Sequence, residues 1–387
     1  MIYLDHHATT PVDPRVLDAM LPMFSTHFGN AASRNHAFGW AAEEAVEQAR
    51  SRVARLMGVT AKEIVFTSGA TESINLALKG AADIYGPKGR HLVTTAVEHK
   101  ATLDTCAHLE TLGYRVTVLG VDAHGRIRPE ELAEALTPET ILFSLIHGNN
   151  EVGTLHDLAP LGAICRSRGV LFHVDAAQTF GKVPIDADAM AIDLLSVSGH
   201  KLYAPKGVGA LYVRRKNPRV RLAPQIHGGG HERGLRSGTL NVPGIVGLGK
   251  ACEVAMAEMD EEAARVSALR DRLYHGLLAA LPGVALIGHP QERLPGNLNV
   301  AFEGVAGENL MSGFVEIAVS SGSACTSASL QPSHVLTAMG IPAALIHGSI
   351  RFGIGRGTTE AEIDRALEIV IAQVRKVRQG MPLEPAR

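Results

Sequence analysis

The chain has 387 residues, 46% of them hydrophobic and 20% charged, and a formal net charge of −2. That length allows one large or two ordinary domains around a sizeable core, and that composition excludes a disordered chain. The near-zero charge gives no reason to expect nucleic acid or an anionic membrane as a partner, and no apolar run reaches the ~18 residues of a membrane span.

The N-terminus, MIYLDHHATT, lacks the basic segment and apolar core of a signal peptide. Four cysteines make no disulfide framework, which predicts a reducing cytosol. Residues 3–14 read as irregular and polar, with turn markers at Pro11 and Pro14. A helix follows over 40–57, with Val46, Ala49, Val53 and Met57 on one stripe and Gly58 as its C-terminal stop. Short apolar runs at 64–66, 92–97, 116–119, 141–146 and 170–174 then alternate with helical stretches at 73–79, 101–112, 130–136 and 158–168. This alternation predicts a mostly parallel sheet covered on both faces. A long helical region over 243–280 is expected to be broken or bent, with an exposed, charged linking part at 258–265. Beyond Pro282 shorter elements at 284–287, 298–302, 308–314 and 350–354 suggest a second, smaller α+β domain. A last helix opens on the capping-box pair Thr359 and Glu362 and carries Ile363, Leu367, Val370 and Val374 on one face.

In parallel sheets ligands bind outside the carboxyl ends of the strands, so the residues at those ends are the candidates for chemistry. The run 194–197 reads as a buried strand, and Ser198-Gly199-His200-Lys201 leaves it abruptly. A lysine at such a mouth loses part of its hydration and its proton, which makes an amine nucleophile for the aldehyde of pyridoxal 5'-phosphate (PLP). Alone, the tetrapeptide reads more readily as a solvated strand end. The run 64–66 enters Thr67-Ser68-Gly69-Ala70-Thr71-Glu72, where Gly69 permits close backbone approach and a helix start favours a phosphate; the alternative is an ordinary Thr N-cap. Asp175 ends the 170–174 run, where it either faces a protonated pyridine nitrogen or makes a structural salt bridge or cap. His99, after 92–97, stacks on a flat ring or shuttles protons, or else is a satisfied core or surface histidine. An amine, an acid, an anion-binding turn and a histidine at the ends of one sheet weigh more than any one of them.

A second nucleophile stands in SSGSACTSAS, residues 320–329. Small polar residues surround Cys325, as an accessible thiolate requires, whereas Cys106, Cys165 and Cys252 sit in helical patterns and look like packing. No second cysteine or histidine stands at metal-ligand spacing, so no intrinsic metal is expected.

SGHK at 198–201, FTSGATES at 66–73, AVEHK at 96–100, HVDAAQ at 173–178, GGGHERGLRSGTL at 228–240 and SSGSACTSAS at 320–329 resemble the cysteine desulfurase family. These are PLP enzymes of aminotransferase fold type I that feed iron–sulfur cluster assembly, and the resemblance covers nearly the whole chain. It implies an α/β fold with a large PLP-binding domain over 15–259, built on a seven-stranded, mostly parallel sheet. A small domain of 1–14 with 260–387 would carry the cysteine loop. It implies that Lys201 forms the Schiff base, His99 stacks on the ring, Asp175 pairs with its nitrogen and Gln178 contacts its hydroxyl. Ala70, Thr71, Ser198 and His200 would hold the phosphate, with Thr239 reaching that of a partner subunit in a homodimer. Asn150 would lie near cofactor and substrate, Arg351 would grip the substrate carboxylate, and Cys325 would take the sulfur of L-cysteine as a persulfide, leaving L-alanine. Cytoplasmic scaffold proteins for iron–sulfur assembly, and enzymes of tRNA thiolation, would be the sulfur acceptors, and Cys325 could serve as a transient cluster ligand shared with a scaffold. Two departures stand out: relatives of the housekeeping type extend further past the last helix, in a tail that helps dock the scaffold, and His6-His7 differs from what usually precedes Ala8-Thr9-Thr10. An aminotransferase or lyase on the same fold, or a PLP-holding docking protein, are the rival readings.

Overall fold

The structure is a computed structural model that describes residues 1–321 and 332–380. The chain opens on a two-residue strand, β1 (Ile2–Tyr3), and reaches its first long helix at α1 (Ala37–Leu56). Strands and helices then alternate: β2 (Ile64–Thr67), α2 (Ala70–Tyr85), β3 (His91–Thr95), α3 (Lys100–Thr111), β4 (Arg115–Leu119), β5 (Thr140–Ile146), α4 (Leu158–Arg168), β6 (Leu171–Asp175), β7 (Leu194–Ser198) and β8 (Gly209–Val213). They build a seven-stranded sheet in the order β2-β8-β7-β6-β5-β3-β4. Every pairing is parallel except the two made by β8, which runs against both β2 and β7.

Neighbouring residues of each strand serve opposite layers, as the period of two demands. Phe66, Val93, Phe143, Phe172, Leu195 and Tyr212 pack on one face with α1 and α4. Val65, Leu92, Leu142, Leu171, Leu194 and Leu211 pack on the other with α2 and α3. Both faces are therefore apolar, which is why these strands read as continuous apolar runs rather than alternating ones.

The helix α5 (Val242–Ala280) leads out of this core. The expectation of a break is corrected here: α5 is one 39-residue helix, about 58 Å long at 1.5 Å per residue. Its glycines serve close packing rather than interruption; a Cβ on Gly249 would lie 2.6 Å from Cα of Ala49 on α1. Ile245, Leu248, Cys252 and Ala255 belong to the first core, whereas Val266, Leu269, Leu273 and Leu277 belong to a second. No residue from 256 to 265 is buried between them.

The second core lies under an antiparallel sheet formed by β9 (Val284–Ile287), β10 (Asn297–Phe302), β12 (Ser320–Ser321) and β13 (Ser349–Gly353), with β11 (Ile317–Ala318) paired in parallel to β1. The last helix, α6 (Glu360–Arg378), has the expected capping box, and Ile363, Val370 and Val374 face this core. Among the described residues, no helix is long and apolar enough to cross a membrane.

Two local differences bear on the site. The helix α2 starts at Ala70, three residues before the predicted 73, so the phosphate-loop candidate is itself the first helical turn. The strand β8 was not expected, because Gly207 and Gly209 make its start read as part of the preceding turn. Gly209 is needed there: a Cβ would stand 2.6 Å from Cα of Gly69 and 2.5 Å from the carbonyl of Val197. Its hydrogen side chain lets the Gly69 turn lie directly on the sheet.

Candidate active site

A cavity of about 470 Å³ opens at the carboxyl ends of the parallel strands. Ala70, Thr71, His99, Asn150, Asp175, Gln178, Ser198, His200 and Lys201 line it. Residues proposed from four different strand ends thus meet around one space. Thr239 is exposed and is not among its walls. Cys325 lies outside the described residues; Ser320, close before it in sequence, stands opposite Arg351 in the ladder between β12 and β13.

Lys201 follows β7 in a tight helical turn. Its Nζ donates to the carbonyl of Ala8 at 2.7 Å and to that of His7. Burial pushes the amine down to about 7, with the positive charges of Lys182 and Arg351 adding to the effect. The turn is strapped by the N-terminal segment: both N–H and Oγ1 of Thr10 donate to the carbonyl of His200, at 3.0 and 2.9 Å. Residues 5–10, read as irregular from the sequence, therefore form one wall of the lysine's surroundings.

Asp175 is the last residue of β6 and is buried. Burial raises its pKa, while the charges of His99 and Lys201 oppose that rise. Its Oδ1 accepts from the N–H of Ala177 at 2.9 Å, which fixes the carboxylate at the strand end. His99 caps α3, its Nδ1 accepting the N–H of Ala101 at 3.1 Å.

The start of α2 has Gly69 as its N-cap and no side-chain cap. Its first N–H groups are thus left for an anion. His200 is pushed down to about 4 by burial and by the charges of Lys201, Lys206 and Lys182, so it enters as a neutral imidazole. Glu72, which also lines the cavity, accepts from the N–H of Ser68 at 2.9 Å and from Arg236 at 2.8 Å.

Arg351, buried on β13, donates from Nη2 to Asp5 at 2.7 Å and from Nη1 to the carbonyl of Asn150 at 3.0 Å; its buried Nε has no partner among the described residues. Glu98 is a second buried acid beside Asp175, pushed up to about 8 by burial although it accepts from Thr95 and from the N–H of Ile146. Glu98, Asp5, His7 and Lys182 were given no role from the sequence. Glu98 stands inside the AVEHK motif and Asp5 inside YLDHHATTP, so the signal was present without an assignment.

These groups fit PLP. The uncapped helix start suits its phosphate, buried Asp175 suits a protonated ring nitrogen, His99 offers a flat face, and Lys201 offers an amine only half protonated near neutrality.

The chain matches the family model for class-V aminotransferases over residues 2–366. It is 60% identical over 382 residues to the cysteine desulfurase IscS of Anaeromyxobacter dehalogenans (strain 2CP-C), covering 99% of this chain and 94% of that protein. The cysteine desulfurase IscS of Shewanella baltica (strain OS223) is 55% identical over 384 residues, covering 99% and 95%. Among solved structures, a NifS-like protein superposes with a TM-score of 0.90 at 39% identity, over 97% of this chain and 99% of that one. SspA in complex with cysteine gives 0.81 at 39% identity, over 92% and 99%.

Proposed function

The chain belongs to the class-V aminotransferase family and is a PLP-dependent cysteine desulfurase, and from that premise we propose the part each residue takes. The observation that carries the reading is Lys201, an amine depressed to about 7 at the mouth of a 470 Å³ cavity that also holds a buried acid and an uncapped helix start. Lys201 would hold the cofactor through its amine and, as a free amine, would take the proton from Cα of bound L-cysteine. Bound here, PLP supplies an electron sink for that carbon. Asp175 would keep the ring nitrogen protonated, His99 would offer its flat face to the ring, and Gln178 would donate to the ring oxygen. Ala70, Thr71, Ser198 and His200 hold the phosphate, and Asn150 adjoins the substrate. Thr239 belongs to the phosphate site of a partner copy, which makes the working form a homodimer. Cys325 attacks the substrate sulfur: the C–S bond breaks, an S–S bond forms, and L-cysteine plus the enzyme thiol become L-alanine plus an enzyme persulfide. The persulfide then passes to cytoplasmic acceptors, iron–sulfur scaffolds first among them. The division into a unit of 15–259 and a unit of 1–14 with 260–387 belongs to the same proposal, supported by the two separate cores and the unburied middle of α5.

The test is product balance. Purified, cofactor-loaded protein given L-cysteine and a reductant should form alanine and sulfide in equal amounts with no keto acid present. Product that depends on an added keto acid would instead mark an aminotransferase.

Arg351 binds the substrate carboxylate. Among the described residues, Asp5 and the Asn150 carbonyl take two of its five N–H groups and Nε has no partner. Arg351→Lys keeps the charge and loses the planar fork. We expect KM for cysteine to rise on the order of 10- to 100-fold, with a smaller change in kcat. An unchanged KM would place the carboxylate elsewhere.

A further inference from the structure

Behind the wall of the active site lies a second, small cavity of about 30 Å³, at the seam between the two cores. His6, His7, Lys182, Tyr203 and Glu262 bring polar groups to it. Glu262 is already paired with Arg356 at 2.7 Å, and His6 bonds the carbonyl of Gly353 through Nδ1 at 2.9 Å. The Lys182 side chain shows no hydrogen bond or ion pair among the described residues, and burial pushes its amine down to about 8. His7 is 3% exposed, and its Nε2 is buried without a partner among the described residues.

The protonation of His7 follows from its neighbours. Gln178 donates from Nε2 to the carbonyl of His7 at 2.9 Å, so its amide is oriented with Oε1 toward the imidazole. Nδ1 of His7, 3.0 Å from that Oε1, must then carry a proton. Burial holds the ring neutral, with Lys182, Arg351 and Lys201 acting in the same direction. Nε2 is therefore a bare acceptor, on a residue that lines a space large enough for one or two waters, each needing at least ~10–15 Å³. An occupant must accept from an ammonium and donate to an imidazole. Water does both, whereas an anion such as chloride cannot donate.

We propose that a water molecule in this cavity links Lys182 to Nε2 of His7, and that His7, so held, is a positioning residue that turns the free amide N–H of Gln178 toward the ring oxygen of the cofactor. The second half rests on the PLP reading above; the first does not. With its Oε1 taken by Nδ1 and one N–H by the backbone carbonyl, Gln178 cannot rotate without breaking both bonds. The same carbonyl of His7 accepts from Lys201, so one residue sets the position of two groups that meet the cofactor.

The water link is tested on cofactor-free protein carrying ¹⁵N-labelled histidine. His7, assigned by its disappearance in His7→Asn, should show a protonated Nδ1 and an unprotonated Nε2. The Nε2 resonance should move in Lys182→Met. A protonated Nε2, or a resonance indifferent to Lys182→Met, overturns the link. The positioning role is tested on loaded protein through the pH midpoint of its visible absorption. A donor to the ring oxygen favours the deprotonated form, so His7→Leu should raise the midpoint by about one unit. His7→Asn, which restores an N–H donor to Gln178, should return most of it. Lys182, Arg351, Asp5 and Asp175 are the charged groups facing Lys201, and none of them changes in either variant. A folded His7→Leu with the parental midpoint overturns the role; should that variant not fold, the labelled parent and Lys182→Met still decide the link. Protein that takes up no cofactor at all would fail the earlier reading and leave the imidazole result standing.

Discussion

Lys201→Ala should lower alanine formation from L-cysteine by roughly 10³-fold or more, since both the covalent anchor and the base at Cα disappear together. Cofactor still held by the helix start and Asp175 should lack the visible band of the lysine link, and an unchanged spectrum would refute the anchor. The depressed pKa adds a second measurement. An amine that titrates at about 7 is about one-tenth neutral at pH 6 and nine-tenths neutral at pH 8. Loading of cofactor-free protein should therefore speed up about tenfold between pH 6 and pH 8 and level off above. An ordinary lysine, near 10.4, would keep accelerating past pH 9. The sign follows from burial: the charged form is disfavoured, so the reactive neutral amine is present at a pH where a solvated lysine would still be protonated.

How far this site could be read from the sequence depends on how local each contact is. The strands β3, β5, β6 and β7 were visible because both their faces are buried, and such strands are apolar at every position. Asp175, Ser198 and Lys201 were visible because they end those runs. The motifs placed the chain among the cysteine desulfurases, and its relatives agree. The wall made by residues 5–10 was not visible. Lys201 reaches Ala8 across 193 residues, and Arg351 reaches Asp5 across 346, and no periodicity encodes either meeting. The strand β8 was hidden because Gly209, required by its contact with Gly69, looks like loop punctuation in a linear reading. The glycines of α5 mark a close helix crossing, a contact that a linear reading does not show.

Cys325→Ser should keep the cofactor with its full visible absorption and lose alanine and sulfide production on the order of 10⁴-fold or more, as removal of a covalent nucleophile does. Serine preserves the size and hydrogen bonding of the side chain, but its oxygen is not ionised near neutrality and cannot receive sulfur as a persulfide. No described thiol can substitute. Cys106, Cys165 and Cys252 are all buried, and burial pushes the first up to about 12 and the other two higher still. A thiol titrating near 12 is ionised about once in 10⁵ molecules at pH 7. None of the three lines the active-site cavity. Trapping with a thiol-reactive probe after a pulse of L-cysteine should label a single persulfide per chain in the parent and none in the variant. Persulfide found on Cys106, Cys165 or Cys252, or normal turnover by Cys325→Ser, would remove Cys325 from the mechanism. The same experiment separates the rival chemistry, because an aminotransferase on this fold would lose nothing when Cys325 is replaced.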